Sequence, residues 1–164
     1  MRMTKVCRVI LHHSGDDRGN EAIFRRQHML VNGWQDTGYH YVIGNGTDSG
    51  NGQVEMGRPT DQRGAHCKNN NHDSIGICLV GNFLNKYPFA KQYDALIQLL
   101  AVECNRHGLN PTGFYRDGDS GVISGHKDWR ATECPGKIES LLERIRIDVK
   151  ARIERHLLLK SDRR

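Results

Sequence analysis

The sequence predicts a single α/β domain with a central mixed β-sheet flanked by helices. Short apolar runs, typical of buried strands, alternate along the chain with segments of helical periodicity. With 164 residues the chain fits one domain and is long enough to form a real core. No internal repeat or linker divides it, and no run of about 18 apolar residues predicts a membrane-spanning helix.

The chain begins with a strand and a helix. Val6–His12 contains the apolar run Val-Ile-Leu and predicts a short buried strand with histidines at its carboxyl end. Glu21–Val31 predicts a helix with one apolar face. Asn32-Gly33 is expected to end it, because glycine favours the left-handed conformation common at helix C-termini. The apolar face would contain Ile23, Phe24, Gln27 and either Leu30 or Val31.

Two strands follow as a hairpin. Tyr39–Ile43 alternates in a pattern that places Tyr39 on the same face as Tyr41 and Ile43. A loop with four glycines among nine residues separates it from a short strand at Gln53–Met56.

The second half adds two strands and two helices. Ser74–Gly81 is almost continuously apolar, as expected of a central strand covered on both faces. Ala90–His107 is the clearest amphipathic helix and stops at Gly108. Val122–Gly125 predicts the last strand, and a final helix starts at about Lys137. Asp117–Gly121 predicts a turn.

Cysteine usage and charge restrict the classes of function. Five cysteines, an odd number without scaffold-like spacing, indicate free thiols and a metal ligand rather than a disulfide framework. The start of the chain has no secretory apolar region, so we expect synthesis and first residence in the cytoplasm. Of the net charge of +5, the segment from Lys137 to Arg164 contributes +4, from nine Lys/Arg and five Asp/Glu. We therefore predict a catalytic domain over residues 1–145 and a basic helical extension of it over 146–164.

The segment Gly125–Gly136 contains the strongest chemical signal. His126 and Cys134 are eight residues apart, and both side chains are good zinc ligands. A third ligand would come from His12 or His13 at the end of the first strand. Three protein ligands with a fourth position open is the arrangement of a catalytic zinc. The competing interpretation is a surface histidine and an inert buried cysteine.

Five collinear motifs resemble the zinc-dependent N-acetylmuramoyl-L-alanine amidases of type 2, which are related to the peptidoglycan recognition proteins. The similarity is greatest to phage amidases historically called lysozymes. It extends in order from about residue 6 to residue 145. The matching segments are Val9–Ser14, Gly33-Trp34 with Gly38–His40, Gly64–His66, His72–Gly81 and Gly125–Gly136.

This resemblance implies the type 2 amidase fold and one Zn²⁺ per chain, with His12, His126 and Cys134 as metal ligands and His13 as a neighbour only. Tyr39 matches the family's active-site tyrosine. Thr132 stands where many phage and bacterial members have a catalytic lysine and where catalytic recognition proteins have threonine. His66 and Arg58, on loops expected to border the groove, are candidates for contacting the glycan or the stem peptide.

The implied reaction is hydrolysis of the amide bond between N-acetylmuramic acid and L-alanine in peptidoglycan, with Tyr39 and Thr132 as the catalytic residues. The implied role is that of a phage or prophage endolysin that reaches the cell wall after release through a holin, with a cytosolic recycling amidase as an alternative. Relatives that bind peptidoglycan without cleaving it, or that inhibit an RNA polymerase, define the non-enzymatic alternatives. The basic C-terminal helix could engage anionic wall polymer, lipopolysaccharide or membrane headgroups.

Overall fold

Five strands form one mixed sheet in the order β3-β2-β4-β1-β5. Neighbouring strands run parallel except for β3, which is antiparallel to β2, so the predicted mixed α/β sheet is confirmed. In this computed structural model, residues 1–116, 118 and 120–161 are described. Asp117 and Asp119 of the predicted turn, and Asp162–Arg164 of the predicted extension, lie outside them. The strands are β1 (Arg8–His13), β2 (Tyr41–Ile43), β3 (Val54–Met56), β4 (Ser74–Leu79) and β5 (Ile123–Gly125).

The helices begin and end at recognisable local signals. The N-cap Asn20 accepts a hydrogen bond of 2.9 Å from the backbone N–H of Ile23, which satisfies one free donor of the first helical turn. The helix over residues 90–107 ends at Gly108, which adopts the left-handed conformation with φ of 64°. The helices are α1 (Glu21–Leu30), α2 (Ala90–His107) and α3 (Leu142–Ser161), with 3₁₀ segments at His126–Asp128 and Gly136–Leu141.

The two faces of the sheet bury different chemistry. Alternate residues of β1, such as Val9 and Leu11, point into the main apolar core under α2 and α3. The residues between them point to the opposite face, where Arg8 and His12 are buried. The apolar cluster on that second face is small and contains Phe24, Val42, Cys78 and Val80 with Tyr39 packed against them. The second face therefore has room for polar groups, and the candidate site lies there.

The structure corrects two details of the predicted first half. Strand β2 begins only at Tyr41, so the alternation does not extend back to Tyr39, which packs with Val42 on the face opposite Tyr41. Helix α1 buries only Phe24, because it packs against the small apolar cluster on the second face of the sheet. Ile23 and Leu30 of the helix, and the adjoining Val31, are exposed.

Helix α3 is continuous through the predicted boundary at residues 145/146. Ile145 and Val149 are both fully buried, and Ile153 packs against the same core. Leu157 and Leu159, near the end of the helix, are exposed. None of the helices in the described ranges is long and apolar enough to cross a membrane.

A buried arginine anchors the loop that follows β5. The guanidinium of Arg8 lies between two aromatic rings, 4.0 Å from the centroids of Tyr115 and Trp129. Arg8 also donates to Asp73, and the Trp129 indole N–H donates a hydrogen bond of 2.8 Å to Ser124 Oγ. The stacking and hydrogen bonds fix Trp129, three residues after His126, against the central strand.

Candidate metal centre

His12, His126 and Cys134 converge at the carboxyl ends of two adjacent parallel strands. His12 belongs to β1, His126 follows β5 directly, and Cys134 lies in the loop beyond. One ligand atom from each residue lies within 4.8 Å of the other two, and Cys134 Sγ is 3.8 Å from His12 Nδ1. Within the described part of the chain, no other three His, Cys, Asp or Glu residues form such a group.

Local hydrogen bonds hold Cys134 in place. The backbone N–H of Cys134 donates to Thr132 Oγ1 at 3.2 Å, and the N–H of Gly136 donates to Glu133 O at 2.7 Å, which folds the segment into a tight turn. The backbone N–H of His13 donates to Cys134 Sγ at 3.4 Å. This donor favours the thiolate over the thiol, as does any cation that the sulfur binds.

The electrostatics of the group favour neutral imidazoles. Burial, followed by repulsion from neighbouring histidines, lowers the pKa of His12 well below its usual value. Burial and the Arg130 guanidinium lower the pKa of His126 as well. Burial raises the pKa of the Cys134 thiol to about 12. Both histidines therefore offer lone pairs at neutral pH, and the Cys134 thiol loses its proton to solvent when a cation binds the sulfur.

The structure separates His13 from this group. Its Nδ1 accepts a hydrogen bond of 3.1 Å from the backbone N–H of Phe83. Since successive side chains of a strand point to opposite faces, His12 and His13 cannot both face the centre. Of the two histidines that the sequence offered, His12 is the one beside Cys134.

Tyr39 borders the centre. Its ring centroid lies 5.4 Å from that of His12, with an angle of 55° between the two rings. Burial raises the pKa of Tyr39 well above its usual value, so the phenol keeps its proton. Thr132 is half-buried next to Cys134, and its oxygen accepts the Cys134 N–H, which leaves its own O–H free to donate elsewhere.

His66 is buried, which corrects its expected position on the rim of a groove, and Arg58 is held by hydrogen bonds between loops. His66 is only 8% exposed and lies behind His12, with its Nδ1 3.0 Å from His12 Nε2. The Arg58 guanidinium is half-buried and donates to backbone carbonyls of residues 36, 37 and 63, so it ties loops together. Both side chains are therefore engaged in hydrogen bonds within the protein.

Sequence reasoning missed a pair of acidic groups beneath the centre. Asp128 accepts a hydrogen bond of 2.9 Å from the backbone N–H of Gly125. Burial and the neighbouring Asp128 carboxyl raise the pKa of Glu139 to about 7. A Cβ at position 125 would overlap the Glu139 carboxyl, so this carboxyl packs directly against the backbone of Gly125. Asp128 and Glu139 are 11 residues apart in the chain, and this spacing matches no motif that would predict their proximity.

Comparison with known proteins finds similarity to N-acetylmuramoyl-L-alanine amidases and to peptidoglycan-recognition proteins. The family model described as N-acetylmuramoyl-L-alanine amidase matches residues 2–137. Peptidoglycan-recognition protein LB of Drosophila melanogaster is 34% identical over 109 residues, which is 66% of this chain and 41% of the relative. The chain thus spans less than half the length of that curated relative.

Two solved structures share the fold. N-acetylmuramoyl-L-alanine amidase LysC from Clostridium intestinale URNW superimposes with a TM-score of 0.75 at 27% identity, covering 89% of this chain and 86% of LysC. A mutant of Drosophila PGRP-LB in complex with tracheal cytotoxin superimposes with a TM-score of 0.68 at 27% identity, covering 83% of this chain and 79% of PGRP-LB.

Proposed function

Because the chain belongs to the N-acetylmuramoyl-L-alanine amidase family, as its motifs implied, we propose that it is a zinc-dependent hydrolase of peptidoglycan. The bond cleaved is the amide between N-acetylmuramic acid and L-alanine of the stem peptide. The observation that carries this proposal is the convergence of His12, His126 and Cys134 within 4.8 Å.

The three donors suit zinc in chemistry and spacing. Two neutral imidazoles and one sulfur are preferred zinc donors, and three of them leave one coordination position open. In a tetrahedral site with ordinary bond lengths, sulfur and nitrogen ligands lie about 3.6 Å apart. The observed distance between Cys134 Sγ and His12 Nδ1 is 3.8 Å. Zinc held there would supply a Lewis acid next to the scissile carbonyl.

Two protein hydroxyl groups serve the reaction in this proposal. Tyr39 keeps its phenol proton at neutral pH and lies beside His12, so it can donate to the oxygen that becomes negative as the amide is attacked. Thr132 O–H is a second donor, in the position where many relatives have lysine. A hydroxyl stabilises the charge by a hydrogen bond only, whereas lysine would add a full positive charge.

We propose muropeptides and polymeric peptidoglycan as substrates. The complex of PGRP-LB with tracheal cytotoxin supports this class of ligand. The resemblance to phage amidases supports the role of a phage or prophage endolysin, which would reach the wall after release through a holin. The alternatives are a protein that binds peptidoglycan without cleaving it and an inhibitor of an RNA polymerase. Both would leave the three converging donors without a use, so the amidase is favoured.

A second contact with the cell envelope is proposed for the end of α3. Lys150, Arg152 and Arg155 lie on exposed turns of the helix, close to the exposed Leu157 and Leu159. Apolar side chains next to basic ones suit an interface that contains anionic headgroups. We propose that this end of α3 contacts the anionic lipid surface of the envelope.

Digestion of purified cell wall tests the main proposal. The protein as purified should contain one zinc per chain and should release stem peptides with new L-alanine amino termini. A chelator should abolish the release, and added zinc should restore it. Cys134→Ala should remove most of the metal and nearly all activity but leave a folded domain. Binding of wall without any cleavage by zinc-loaded protein would favour the non-enzymatic alternative.

A further inference from the structure

We propose that His66 is a positioning residue that fixes the proton of His12 on Nε2 and thereby directs the lone pair of His12 Nδ1 toward Cys134. This inference deepens the proposed zinc site and replaces the predicted substrate contact of His66. It follows from the hydrogen-bond partners on both sides of the His66 ring.

Among the described residues, the far nitrogen of His66 faces acceptors only. His66 Nε2 lies 3.4 Å from the carbonyl oxygen of Ser74 and 3.3 Å from its hydroxyl oxygen. The Ser74 hydroxyl donates its proton to Asn70 O at 2.5 Å, so its oxygen can only accept from His66. His66 Nε2 therefore carries the proton of the ring.

The near nitrogen must then accept. In a neutral imidazole one nitrogen donates and the other accepts, so His66 Nδ1 has a lone pair. That lone pair lies 3.0 Å from His12 Nε2, which consequently donates. His12 Nδ1 is left without a proton, 3.8 Å from Cys134 Sγ. The opposite tautomer of His12 would place a proton among the three donors and block a cation.

The surroundings of His66 keep its ring in this position. Asn71 Oδ1 accepts from the backbone N–H groups of His66 and Cys67, at 3.0 and 2.8 Å. The ring rests on Gly76 of β4, where any Cβ would overlap it. His40 contacts the ring edge-on, with 5.6 Å between centroids. A buried, preformed acceptor thus stands behind His12, and because it is neutral it adds no charge to the site.

A pair of substitutions of equal size tests the role. His66→Asn keeps an acceptor close to the position of Nδ1, whereas His66→Leu removes it at nearly the same volume. We expect the zinc dissociation constant, measured by chelator competition on the full chain, to rise about 10–100-fold in His66→Leu and by no more than about threefold in His66→Asn. The visible spectrum of the Co²⁺ form should change in the leucine variant and not in the asparagine variant.

Two further measurements separate positioning from stability. Val149→Ala, in the core beneath the opposite face of the sheet, should lower the unfolding temperature without changing zinc affinity. Nitrogen-15 NMR of the histidine rings, on the protein as purified and after chelation, should find the His12 proton on Nε2 in both. Equal weakening by asparagine and leucine, or a proton on His12 Nδ1 after chelation, would overturn the proposal. Failure of the parent protein to bind zinc would instead overturn the proposed function, because the NMR measurement after chelation needs no metal.

Discussion

Arg8 and Asp73 form an ion pair of 3.0 Å in which the two side chains are only 1% and 5% exposed. Asp73 also accepts a hydrogen bond of 2.7 Å from the Tyr115 hydroxyl, so both of its oxygens are engaged. We predict that Asp73→Asn lowers the unfolding free energy by about 3–5 kcal/mol, because it leaves the Arg8 charge buried without a counter-ion. Urea denaturation measures this loss.

The control is an exposed ion pair. Lys86 and Asp17 lie 2.6 Å apart, but their side chains are 47% and 54% exposed. Lys86→Met should cost less than about 1 kcal/mol, because water screens the pair. Equal losses in Asp73→Asn and Lys86→Met would show that burial does not govern the Arg8 pair.

Tyr39→Phe tests the proposed hydrogen bond to the developing oxyanion. The substitution removes one hydroxyl and leaves the ring that packs against Val42. We predict that kcat falls about 10²–10³-fold, the usual loss for one such donor. The zinc content should stay at one per chain. Wild-type turnover in a zinc-loaded variant would assign Tyr39 to packing alone.

Acid should destabilise the metal-free protein through its buried neutral histidines. Burial lowers the pKa of His40 from 6.5 to about 4, and those of His12 and His66 also fall. His40 binds a proton below about pH 6.5 in the unfolded chain but only below about pH 4 in the folded chain. The unfolding free energy therefore has its full value above pH 6.5. As the pH falls from 6.5 to 4, protonation of His40 in the unfolded chain lowers the unfolding free energy by about 1.4 kcal/mol per pH unit.

His40→Asn separates this contribution from the others. Asparagine can still accept the N–H of Gly76, the partner of His40 Nδ1 at 2.9 Å. The slope of unfolding free energy against pH, measured in the presence of chelator between pH 4 and 6.5, should become shallower by about one proton. An unchanged slope would mean that His40 titrates alike in the folded and unfolded chains.

The end of α3 gives a prediction that depends on salt. Lys150→Gln with Arg155→Gln should weaken binding to vesicles of phosphatidylglycerol and phosphatidylcholine, most strongly at low ionic strength, because salt screens such attraction beyond about 8 Å at 0.15 M. Leu157→Ser with Leu159→Ser should weaken binding at every salt concentration. Turnover of small muropeptides should stay unchanged in both variants. Binding equal to that of the parent protein would show that this end of the helix only packs.

The sequence predicted the elements of the fold better than their environment. The apolar runs and the helix over residues 90–107 indicated the core. Buried strands leave continuous apolar runs in the sequence, and a helix with one buried face leaves apolar residues three and four positions apart. The periodicity of helix α1 predicts an apolar face, yet Ile23 and Leu30 are exposed. Periodicity shows which side chains share a face but not what covers that face. The order of strands in the sheet is set by packing between elements far apart in the chain and had no local signal.

The site shows the same division. The residue types and spacing of His126 and Cys134, and a histidine pair at the end of the first strand, indicated a metal site, and the family resemblance singled out His12 as the third donor. The position of His66 could not be predicted, because its contact with His12 joins residues 54 apart and requires the bare surface of Gly76. For the same reason the sequence alone gave no indication that Arg8, within an apolar strand, is paired with Asp73.

The three donors join a central strand to an edge strand. Strand β1, which carries His12, is paired on both sides, whereas β5, which leads to His126, has three residues and one partner. Edge segments with few pairings open locally far more often than central strands do. A cation bound by all three donors would link β5 and the loop after it to the central strand β1. Amide hydrogen exchange in residues 123–134 should therefore slow on metal binding, while exchange in β1 stays constant. Metal occupancy would then control how often residues 123–134 open locally, independently of the free energy of unfolding of the whole domain.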